Sequence, residues 1–344
     1  MGRIGVVSYR LHLVDGVSIE ARKWVDALTR LGWEIRTVAG EGPVDVLVPG
    51  LGLYDDGPVD LAQLSDSLAE CDVILAENIL SLPLNPRATE AVASVARSRP
   101  TIVRHHDVPW QRHHLDSEYP LPDDPHWIHV TINQLTSNQL ALRGIRSTRL
   151  YNRFDVDAPE GRRSWTRRLL DLPESRPVVL APTRVIPRKN IALAAQLARA
   201  SGALLWILGP AEDGFDEELQ RLLDDLGPDQ RHGAPPEVSI HDAYAACDAV
   251  AVTSTWEGFG NPVMEAFVHR RPLVLNEYPV ARELLEFGFE VFSPHDPGAL
   301  VAEFRQPDVE RRERNYERVK RYFNLVDLPH ELTHILEALK PLSR

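Results

Sequence analysis

The residues best suited to chemistry lie in one Gly-rich run, Thr253–Ala266, which directly follows an apolar, strand-like segment. Asn261 is a good N-cap and Pro262 suits the first helical position, so we expect a helix that directs free backbone N–H groups at an anion or an oxygen-rich ligand. Glu257 before that helix and Glu265 in its first turns carry carboxylates that can accept hydrogen bonds from sugar hydroxyls. The alternative is a plain Gly-rich turn whose glutamate favours the helix dipole.

A second polar run, Arg104–Arg112, stands at the end of an apolar segment in the first half of the chain. Its His106 can accept or relay a proton and can hydrogen-bond a hydroxyl, although a structural hydrogen bond is the alternative. Arg104 and Arg112 could bind an acceptor carboxylate or phosphate. His105 is expected on the opposite face if the strand persists.

Further candidates for contact with an acceptor are Asp107 in the same run and Glu77, which with Asn78 ends another apolar segment. A zinc site would need additional ligands, and no tight metal-binding spacing is present, so we expect no metal. The histidines available for such a site are His113, His114, His126 and His129.

Short apolar, β-branched segments alternate with helical patterns along the chain, which indicates parallel sheets with helices on both faces. Apolar residues at helical spacing over Ile19–Leu31 end at Gly32, a normal C-cap signal. The alternation of strands and helices starts again after Pro177. The predicted strands are Arg3–Tyr9, Trp33–Ala39, Asp72–Glu77, Thr101–His105 and Ile128–Ile132, then Val178–Ala181, Leu204–Leu208, Val238–Ile240, Ala249–Thr253, Pro272–Asn276 and Glu290–Phe292.

This restart predicts two Rossmann-like, doubly wound α/β domains, residues 1–155 and 156–326, joined at the polar stretch Asp155–Arg176. The amphipathic tail, 327–344, has no strand after it and is expected to pack back on the first domain. Open α/β sheets bind ligands at the carboxyl ends of their strands, so we expect a ligand cleft between the two domains.

Composition narrows the classes of function. The 344 residues are long for one hydrophobic core and comfortable for two, and the formal net charge of −12 argues against binding to nucleic acid or to an anionic membrane. Cys71 and Cys247 fit neither a metal spacing nor a disulfide framework and are expected to be buried thiols. No signal peptide and no apolar run of ~20 residues is present, so we expect a cytoplasmic protein without integral membrane association.

Together these motifs resemble those of retaining GT-B glycosyltransferases, particularly glycosyltransferase family 4, the glycosyl transferases group 1. Glu257 and Glu265 match the E-x7-E pattern with an internal G-F-G. Arg184–Asn190 resembles the family's R-x4-K segment, and Tyr151–Asp155 resembles its "pNGvD" interdomain segment with Arg153 in place of the usual Gly. The resemblance covers nearly the whole chain.

The resemblance implies that Arg184 and Lys189 hold the donor diphosphate. A guanidinium and an ammonium on one loop suit a doubly charged leaving group, so no metal is then required. Solvated surface charge is the alternative for both residues, and Arg188 between them is expected to be exposed. Glu265 would bind the ribose hydroxyls, and Glu257 would lie near the donor sugar.

Backbone groups complete the donor site that the resemblance implies. Phe259, Gly260 and Asn261 would offer amides near the donor sugar. Gly209 belongs to a turn that resembles one lining the nucleotide pocket, although Gly-Pro is a common turn sequence.

In the first domain the resemblance implies two roles. His106 matches a family position that contacts the donor sugar. Gly16 stands where the family has a Gly-rich loop near the diphosphate, but this chain has one Gly rather than two. Alternatively, this segment serves only to begin a helix, with Ser18 as its N-cap.

The expected function is metal-independent transfer of a hexose, with retention, from a UDP- or GDP-sugar to an acceptor hydroxyl, with no cofactor beyond that co-substrate. The H-H-D-x-P-W-x-R run resembles runs in enzymes that glycosylate small, charged compatible solutes such as glucosylglycerate, which favours a small polar or charged acceptor. A glycolipid- or polysaccharide-building glycosyltransferase, a GT-B epimerase and a nonenzymatic nucleotide-sugar-binding protein are the alternatives. The sequence does not show the nucleobase, the sugar or the oligomeric state, and a homodimer stays open.

Overall fold

The computed structural model describes residues 2–112, 115–212 and 214–339. The chain divides into two compact units, the first comprising Met1–Arg153 and Leu325–Arg344 and the second comprising Phe154–Asn324. The boundaries predicted from the sequence, after residues 155 and 326, lie a short distance beyond these positions.

Strands and helices alternate through both units. The strands are β1 Arg3–Arg10, β2 Glu34–Glu41, β3 Val46–Leu47, β4 Val73–Glu77, β5 Thr101–His105, β6 Trp127–Thr131, β7 Ser147–Arg149, β8 Val178–Ala181, β9 Leu204–Ile207, β10 Gln230–His232, β11 Ala249–Val252 and β12 Leu273–Leu275. The helices are α1 Gly16–Arg30, α2 Leu61–Leu68, α3 Pro86–Ala96, α4 Gln134–Leu142, α5 Arg163–Leu169, α6 Ile191–Ser201, α7 Asp216–Leu226, α8 Ile240–Ala246, α9 Asn261–Val268, α10 Pro279–Leu285, α11 Pro297–Arg305, α12 Val309–Tyr322 and α13 Leu328–Leu339.

The first unit is built on a parallel sheet with the strand order β3-β2-β1-β4-β5-β6-β7 within the described residues. A hydrophobic core covers each face of this sheet, as expected for parallel strands that are apolar on both sides. The tail helix α13 belongs to one of these cores, where Leu332 and Ile335 pack with Trp24 and Leu28 of α1. Arg153, at the end of the unit, pairs with Glu331 of the same helix.

The second unit is built on a smaller parallel sheet with the order β10-β9-β8-β11-β12 within the described residues. Two predicted strands are wrong. Val238–Ile240 does not form a strand, because Ser239 is the N-cap of α8 and forms a capping box with Asp242. Glu290–Phe292 contributes only an isolated bridge between Phe292 and Val274.

The two cysteines are free and buried, as the sequence predicted. Burial raises the pKa of both thiols, to about 12 for Cys247, so neither is a reactive thiolate at neutral pH. Across the described ranges, the helices include none that has both the length and the apolar character needed to cross a membrane.

Candidate active site

The candidate site of the second unit stands on two loops at the carboxyl ends of the neighbouring strands β8 and β11. After β8 the chain forms a short 3-10 turn, Pro187–Lys189. The loop after β11 is fastened to this turn, because Thr255 donates its backbone N–H and its hydroxyl to the Arg188 carbonyl at 2.8 and 3.2 Å. Thr253 donates to the Lys189 carbonyl at 3.0 Å. The hydrogen bonds therefore hold the cations of one loop next to the carboxylate of the other.

Glu257 lies where these two loops meet, and it is buried. Its Oε1 accepts hydrogen bonds from Lys189 Nζ and from Ser254 Oγ, both at 2.5 Å, and its Oε2 accepts one from Arg188 Nη1 at 2.7 Å. Burial opposes ionisation of the carboxyl, but Lys189 and Arg188 outweigh that effect and lower the pKa of Glu257 to about 2. Glu257 is therefore a fixed carboxylate at neutral pH.

The two cations predicted to hold a diphosphate have different surroundings. Lys189 is buried, and its pKa lies below the ordinary value because burial outweighs the attraction of Glu257. The Arg184 side chain is 31% exposed and pairs with Glu212, which is 39% exposed. The structure thus places Lys189 against the buried carboxylate and Arg184 at the rim of the same loop.

Arg188 is not exposed as the sequence predicted. Its side chain is 24% exposed, and Nη1 donates to Glu257 and, at 2.9 Å, to the carbonyl of Trp256. The 3-10 turn points this side chain at the buried carboxylate, which a spacing argument based on the R-x4-K pattern does not reveal. Arg188 is therefore a site residue that the sequence interpretation missed.

The helix α9 begins at Asn261 with Gly260 as its N-cap, so the N-cap prediction for Asn261 is wrong by one position. Gly260 has a φ of +93°, and a Cβ at this position would lie 2.2 Å from the hydroxyl of Tyr278. That hydroxyl donates to the Phe259 carbonyl at 3.0 Å, and the Phe259 side chain is buried. Only glycine satisfies both the left-handed conformation and this close approach.

Glu265, within α9, accepts a hydrogen bond from the Tyr244 hydroxyl at 2.7 Å. Burial and the neighbouring Glu265 raise the pKa of Tyr244 well above its ordinary value, so the phenol stays a donor. His269 stacks on Tyr244 and bonds His241 at 3.0 Å, and burial lowers the pKa of His269 to about 4. Sequence reasoning did not predict this support of Glu265, because Tyr244 lies 21 residues away along the chain.

Gly209 follows β9, as predicted, and lies against the loop that carries Arg184. A Cβ at Gly209 would lie 2.6 Å from the Thr183 carbonyl and 2.7 Å from the Arg184 nitrogen. The Gly209 carbonyl is 3.1 Å from Nε2 of His232. This close backbone approach explains the glycine without requiring a ligand contact.

In the first unit, Glu77 at the end of β4 joins Arg104 and His106 in a buried cluster. Glu77 Oε1 accepts from Arg104 Nη1 at 3.0 Å, and Oε2 lies 2.9 Å from His106 Nε2. Burial opposes ionisation of Glu77, but Arg104 and His106 outweigh it and hold the pKa of the carboxyl below its usual range. The Asn78 side chain, in a residue with a φ of +62°, accepts from the backbone N–H of His106 at 3.1 Å. His106 is thus fixed by its ring and by its backbone.

Direct acceptor binding by Arg104 and Glu77, as the sequence suggested, does not fit their position, because both side chains are completely buried. Arg104 also bonds Asn152 at 3.2 Å and lies over the Trp24 ring at 4.4 Å. Arg104 points inward because its strand is covered on both faces. Glu77 bonds the ring of His106, and Arg104 in turn bonds Glu77.

Asp107 and Arg112 lie beyond this cluster and bond each other at 2.5 Å. Both side chains are partly exposed, at 14% and 17%. Within the described residues, Asp107 Oδ1 and Arg112 Nε are buried and have no hydrogen-bond partner. Both residues are more exposed than the buried histidines of the same run.

His105 points away from His106, as alternation along the strand predicts. Its Nε2 lies 2.9 Å from His129 Nδ1, and His129 Nε2 lies 3.0 Å from Asp123. Burial and the neighbouring His129 lower the pKa of His105 well below its ordinary value, so it is neutral at physiological pH. In the part of the chain that the structure describes, no group of three His, Cys, Asp or Glu could hold a metal. His113 and His114 lie outside the described residues.

At the start of α1 the N-cap is Asp15, whose carboxylate accepts from the backbone N–H groups of Val17 and Ser18. The interpretation of Ser18 as the N-cap is wrong, because Ser18 lies inside the helix and donates to Asp15 at 2.8 Å. Gly16 is exposed, and a Cβ there would meet no atom within 4 Å. No packing in this unit requires glycine at Gly16.

Comparison with known proteins identifies a matching family model and similar proteins. Residues 165–321 match the family model of the glycosyl transferases group 1. The chain is 27% identical over 359 aligned residues to the mannosylglucosylglycerate synthase of Thermotoga maritima, with 81% of each chain covered. It is 25% identical over 376 aligned residues to the enzyme of the same name from Petrotoga mobilis, with 84% of this chain and 86% of that one covered.

Solved structures show the same fold. HepE of Anabaena in complex with UDP and glucose superposes with a TM-score of 0.79 at 17% identity, covering 98% of this chain and 100% of that one. WaaG, a glycosyltransferase of lipopolysaccharide biosynthesis, superposes with a TM-score of 0.62 at 12% identity, covering 96% of this chain and 99% of that one. The fold prediction is confirmed: the chain is a glycosyltransferase of the GT-B fold, and its second unit carries a glycosyl transferases group 1 domain.

Proposed function

We propose that this enzyme transfers a hexose from a UDP- or GDP-sugar to a hydroxyl of a small polar or charged acceptor, with retention and without a metal. The observation that carries the proposal is Glu257, an ionised and buried carboxylate bound by Lys189 and Arg188 at the start of α9. This arrangement stands inside the glycosyl transferases group 1 domain.

The donor diphosphate is assigned to Lys189 and Arg184. An ammonium carries three donors, and Lys189 uses one on Glu257, so its others can reach phosphate oxygens. The Arg184–Glu212 pair is about one-third exposed on each side, and such a pair contributes only about 0–1 kcal/mol. Arg184 can therefore exchange Glu212 for a doubly charged ligand at little cost. HepE, which shares the fold, is described in complex with UDP-glucose.

The donor's hydroxyl groups are assigned to the two glutamates. Because Glu257 stays ionised, its oxygens act as acceptors for hydroxyl donors of the sugar. Glu265 is already oriented by Tyr244 and is assigned to the ribose. The N-terminal end of α9, with the backbone N–H groups of Gly260 and Asn261, favours an anionic or oxygen-rich ligand.

The reaction follows from these assignments. The bond from the anomeric carbon to the diphosphate oxygen breaks, and the acceptor oxygen bonds that carbon on the same face. The departing diphosphate, stabilised by Lys189 and Arg184, accepts the proton of the acceptor hydroxyl. Rate acceleration then comes mainly from stabilisation of the leaving group and from positioning. His106, fixed by Glu77, is the first unit's candidate for a hydrogen bond to a sugar hydroxyl.

A small polar acceptor is supported by two observations. The relatives that match more than four-fifths of this chain are mannosylglucosylglycerate synthases. In this chain the mutually paired Asp107 and Arg112 offer both an acceptor and a donor to a polar compound. Glucosylglycerate and similar carboxylated glycosides are therefore the first acceptors to test.

The proposal is tested by product analysis. The enzyme is incubated with UDP- and GDP-hexoses and either carboxylated polar metabolites or lipid extracts, with and without EDTA, and the anomeric configuration is read by NMR. We expect transfer to a polar metabolite, an unchanged anomeric configuration and full activity in EDTA. Transfer only to lipids would overturn the acceptor class, and inversion or EDTA-sensitive activity that Mg²⁺ restores would overturn the mechanism.

A further inference from the structure

A pocket lined by arginines lies at the amino ends of the strands of the second sheet, and its volume is 280 Å³. Pro177, Asp248 and Arg271 line it just before β8, β11 and β12, whereas the loops of the candidate active site follow β8 and β11. The amino and carboxyl ends of parallel strands lie at opposite edges of a sheet. The pocket is therefore separate from the candidate active site.

The two central acids of this pocket already have partners. Each is held by a pair of arginines: Asp248 by Arg163 and Arg167 at 2.7 and 2.6 Å, and Glu303 by Arg311 and Arg312 at 2.8 and 2.7 Å. Arg167 also pairs with Glu174 at 3.7 Å, and Arg311 also pairs with Asp308 at 3.4 Å, so each grouping holds two guanidinium and two carboxylate groups. The acids of the lining are thus matched by arginines, and among the described residues Arg271 is the charged side chain of the lining that has no ion pair.

Arg271 distinguishes this pocket from an ordinary surface ion-pair network. Within the described residues its side chain has no ion pair and no hydrogen bond, and its Nε is buried without a partner. Burial lowers the pKa of Arg271, although a guanidinium stays charged at any physiological pH. Arg271 is partly buried, and a buried N–H without a partner costs free energy that a ligand accepting a hydrogen bond from it would recover.

We propose that this pocket binds a small phosphorylated polyol, with its phosphate on the guanidinium of Arg271. A guanidinium matches phosphate oxygens with parallel N–H donors, which gives the pocket its anion selectivity. Glu174 and Ser175, in the same lining, suit the hydroxyl groups of a polyol. The volume is near the lower limit of about 300 Å³ for small-molecule sites, so the ligand is a compact metabolite rather than a nucleotide.

The test is a thermal-shift titration of the full chain with glycerol 3-phosphate as the probe and glycerol as the uncharged control. A ligand of the native state raises the melting temperature in a saturable way. We expect such a rise with glycerol 3-phosphate and none with glycerol. Arg271→Met should weaken binding by about 10–100-fold, the usual range for losing a charged hydrogen-bonding partner. Arg282→Gln, which removes a surface arginine with a 73% exposed side chain, should leave the titration unchanged.

A second comparison separates this pocket from the diphosphate loop. Lys189→Met should leave the glycerol 3-phosphate titration unchanged, because Lys189 lies beyond the other end of β8. No saturable shift in the wild type, or a shift that Lys189→Met abolishes and Arg271→Met leaves intact, would overturn the proposal. This test does not depend on the proposed transfer reaction, since it uses no sugar nucleotide and measures no activity.

Stability without ligand gives an independent readout. Because the buried Nε of Arg271 has no hydrogen-bond partner among the described residues, Arg271→Met should raise the melting temperature of the ligand-free protein by a few degrees. A lower melting temperature for this variant would mean that the guanidinium stabilises the fold, which contradicts a ligand-binding role. Arg271→Lys keeps the positive charge but loses the planar guanidinium with its parallel N–H donors. This variant should bind the probe more weakly than the wild type while remaining folded.

Discussion

The two units each hold a buried carboxylate between two basic side chains beyond or at the carboxyl end of a parallel strand, but the surroundings of those side chains differ. In the second unit, Glu257 stands on a loop and binds Lys189 and Arg188 from a neighbouring loop. In the first unit, Glu77 ends a strand and binds Arg104, which is completely buried. The loops of the second unit leave the Arg188 side chain 24% exposed, whereas the strand of the first unit commits its arginine to the interior.

The largest effect, a loss of stability, should follow from breaking the buried cluster of Glu77, Arg104 and His106. Glu77→Gln leaves the Arg104 guanidinium buried with only Glu20, 3.5 Å away, as an acidic partner among the described residues. Loss of one member of a buried ion pair costs about 3–5 kcal/mol of unfolding free energy, and Glu20 should keep the cost near the lower value. Urea denaturation measures it. A cost below about 1 kcal/mol would show that Glu77 is not the principal partner of Arg104.

Removing the Lys189 cation of the second unit should instead lower the rate of the reaction. Lys189→Met should lower kcat/KM on the order of 10²–10³-fold, as the loss of one stabilising donor at a developing charge does in other enzymes. Arg282→Gln is the matched control, since it removes a charge from an exposed position. Equal activities of the two variants would contradict a role for Lys189 at the leaving group.

Arg188 should act through Glu257 rather than on the substrate alone. Arg188→Gln removes one of the two cations that lower the pKa of Glu257, so that pKa should rise while Lys189 still holds the carboxylate. A smaller loss of activity, about tenfold, is expected, with the acidic limb of the pH–rate profile moved upward. An unchanged acidic limb would show that Arg188 does not control the ionisation of Glu257.

Each unit contains a buried histidine that should make the free energy of unfolding depend on pH. The pKa of His269 is about 4, below its ordinary value of 6.5, and burial lowers that of His105 in the same direction. The unfolded chain therefore binds more protons in this window. The free energy of unfolding should fall as pH falls from about 6.5 to about 4, by up to roughly 1.4 kcal/mol per pH unit for each histidine.

Urea midpoints measured across this range test the effect, with His269→Gln as the variant. The variant should show a shallower slope below pH 6.5 because one of the proton acceptors of the unfolded state is gone. An identical slope would mean that His269 is not held neutral in the folded protein.

The sequence predicted the alternation of strands and helices well because parallel strands covered on both faces are continuous apolar runs. It failed where local chemistry replaced a strand, as at Ser239, whose capping box begins a helix instead. The edge strand β3 was missed because it has only 2 residues, and the edge strands β7 and β10 were missed because they contain no apolar residue.

The candidate site shows the same division. Glu257, Glu265 and Lys189 were predicted from their motifs, and the structure pairs Lys189 with Glu257. The contributions of Arg188 and Tyr244, and the burial of Arg104, depend on side-chain direction across loops and strands that spacing does not encode. Sequence motifs thus predicted a candidate site, whereas the pairing of its charges required the structure.

The most direct test of the central claim, that Glu257 with its two cations organises a nucleotide-sugar site, is a thermal-shift titration with UDP-, GDP- and ADP-sugars on the wild type and on Glu257→Gln. The account predicts a saturable rise in melting temperature with a UDP- or GDP-sugar for the wild type. It predicts that the rise is much weaker in Glu257→Gln, because the two cations lose the charge that positions them. No rise with any of these sugars in the wild type, or an equal rise in the variant, would contradict it.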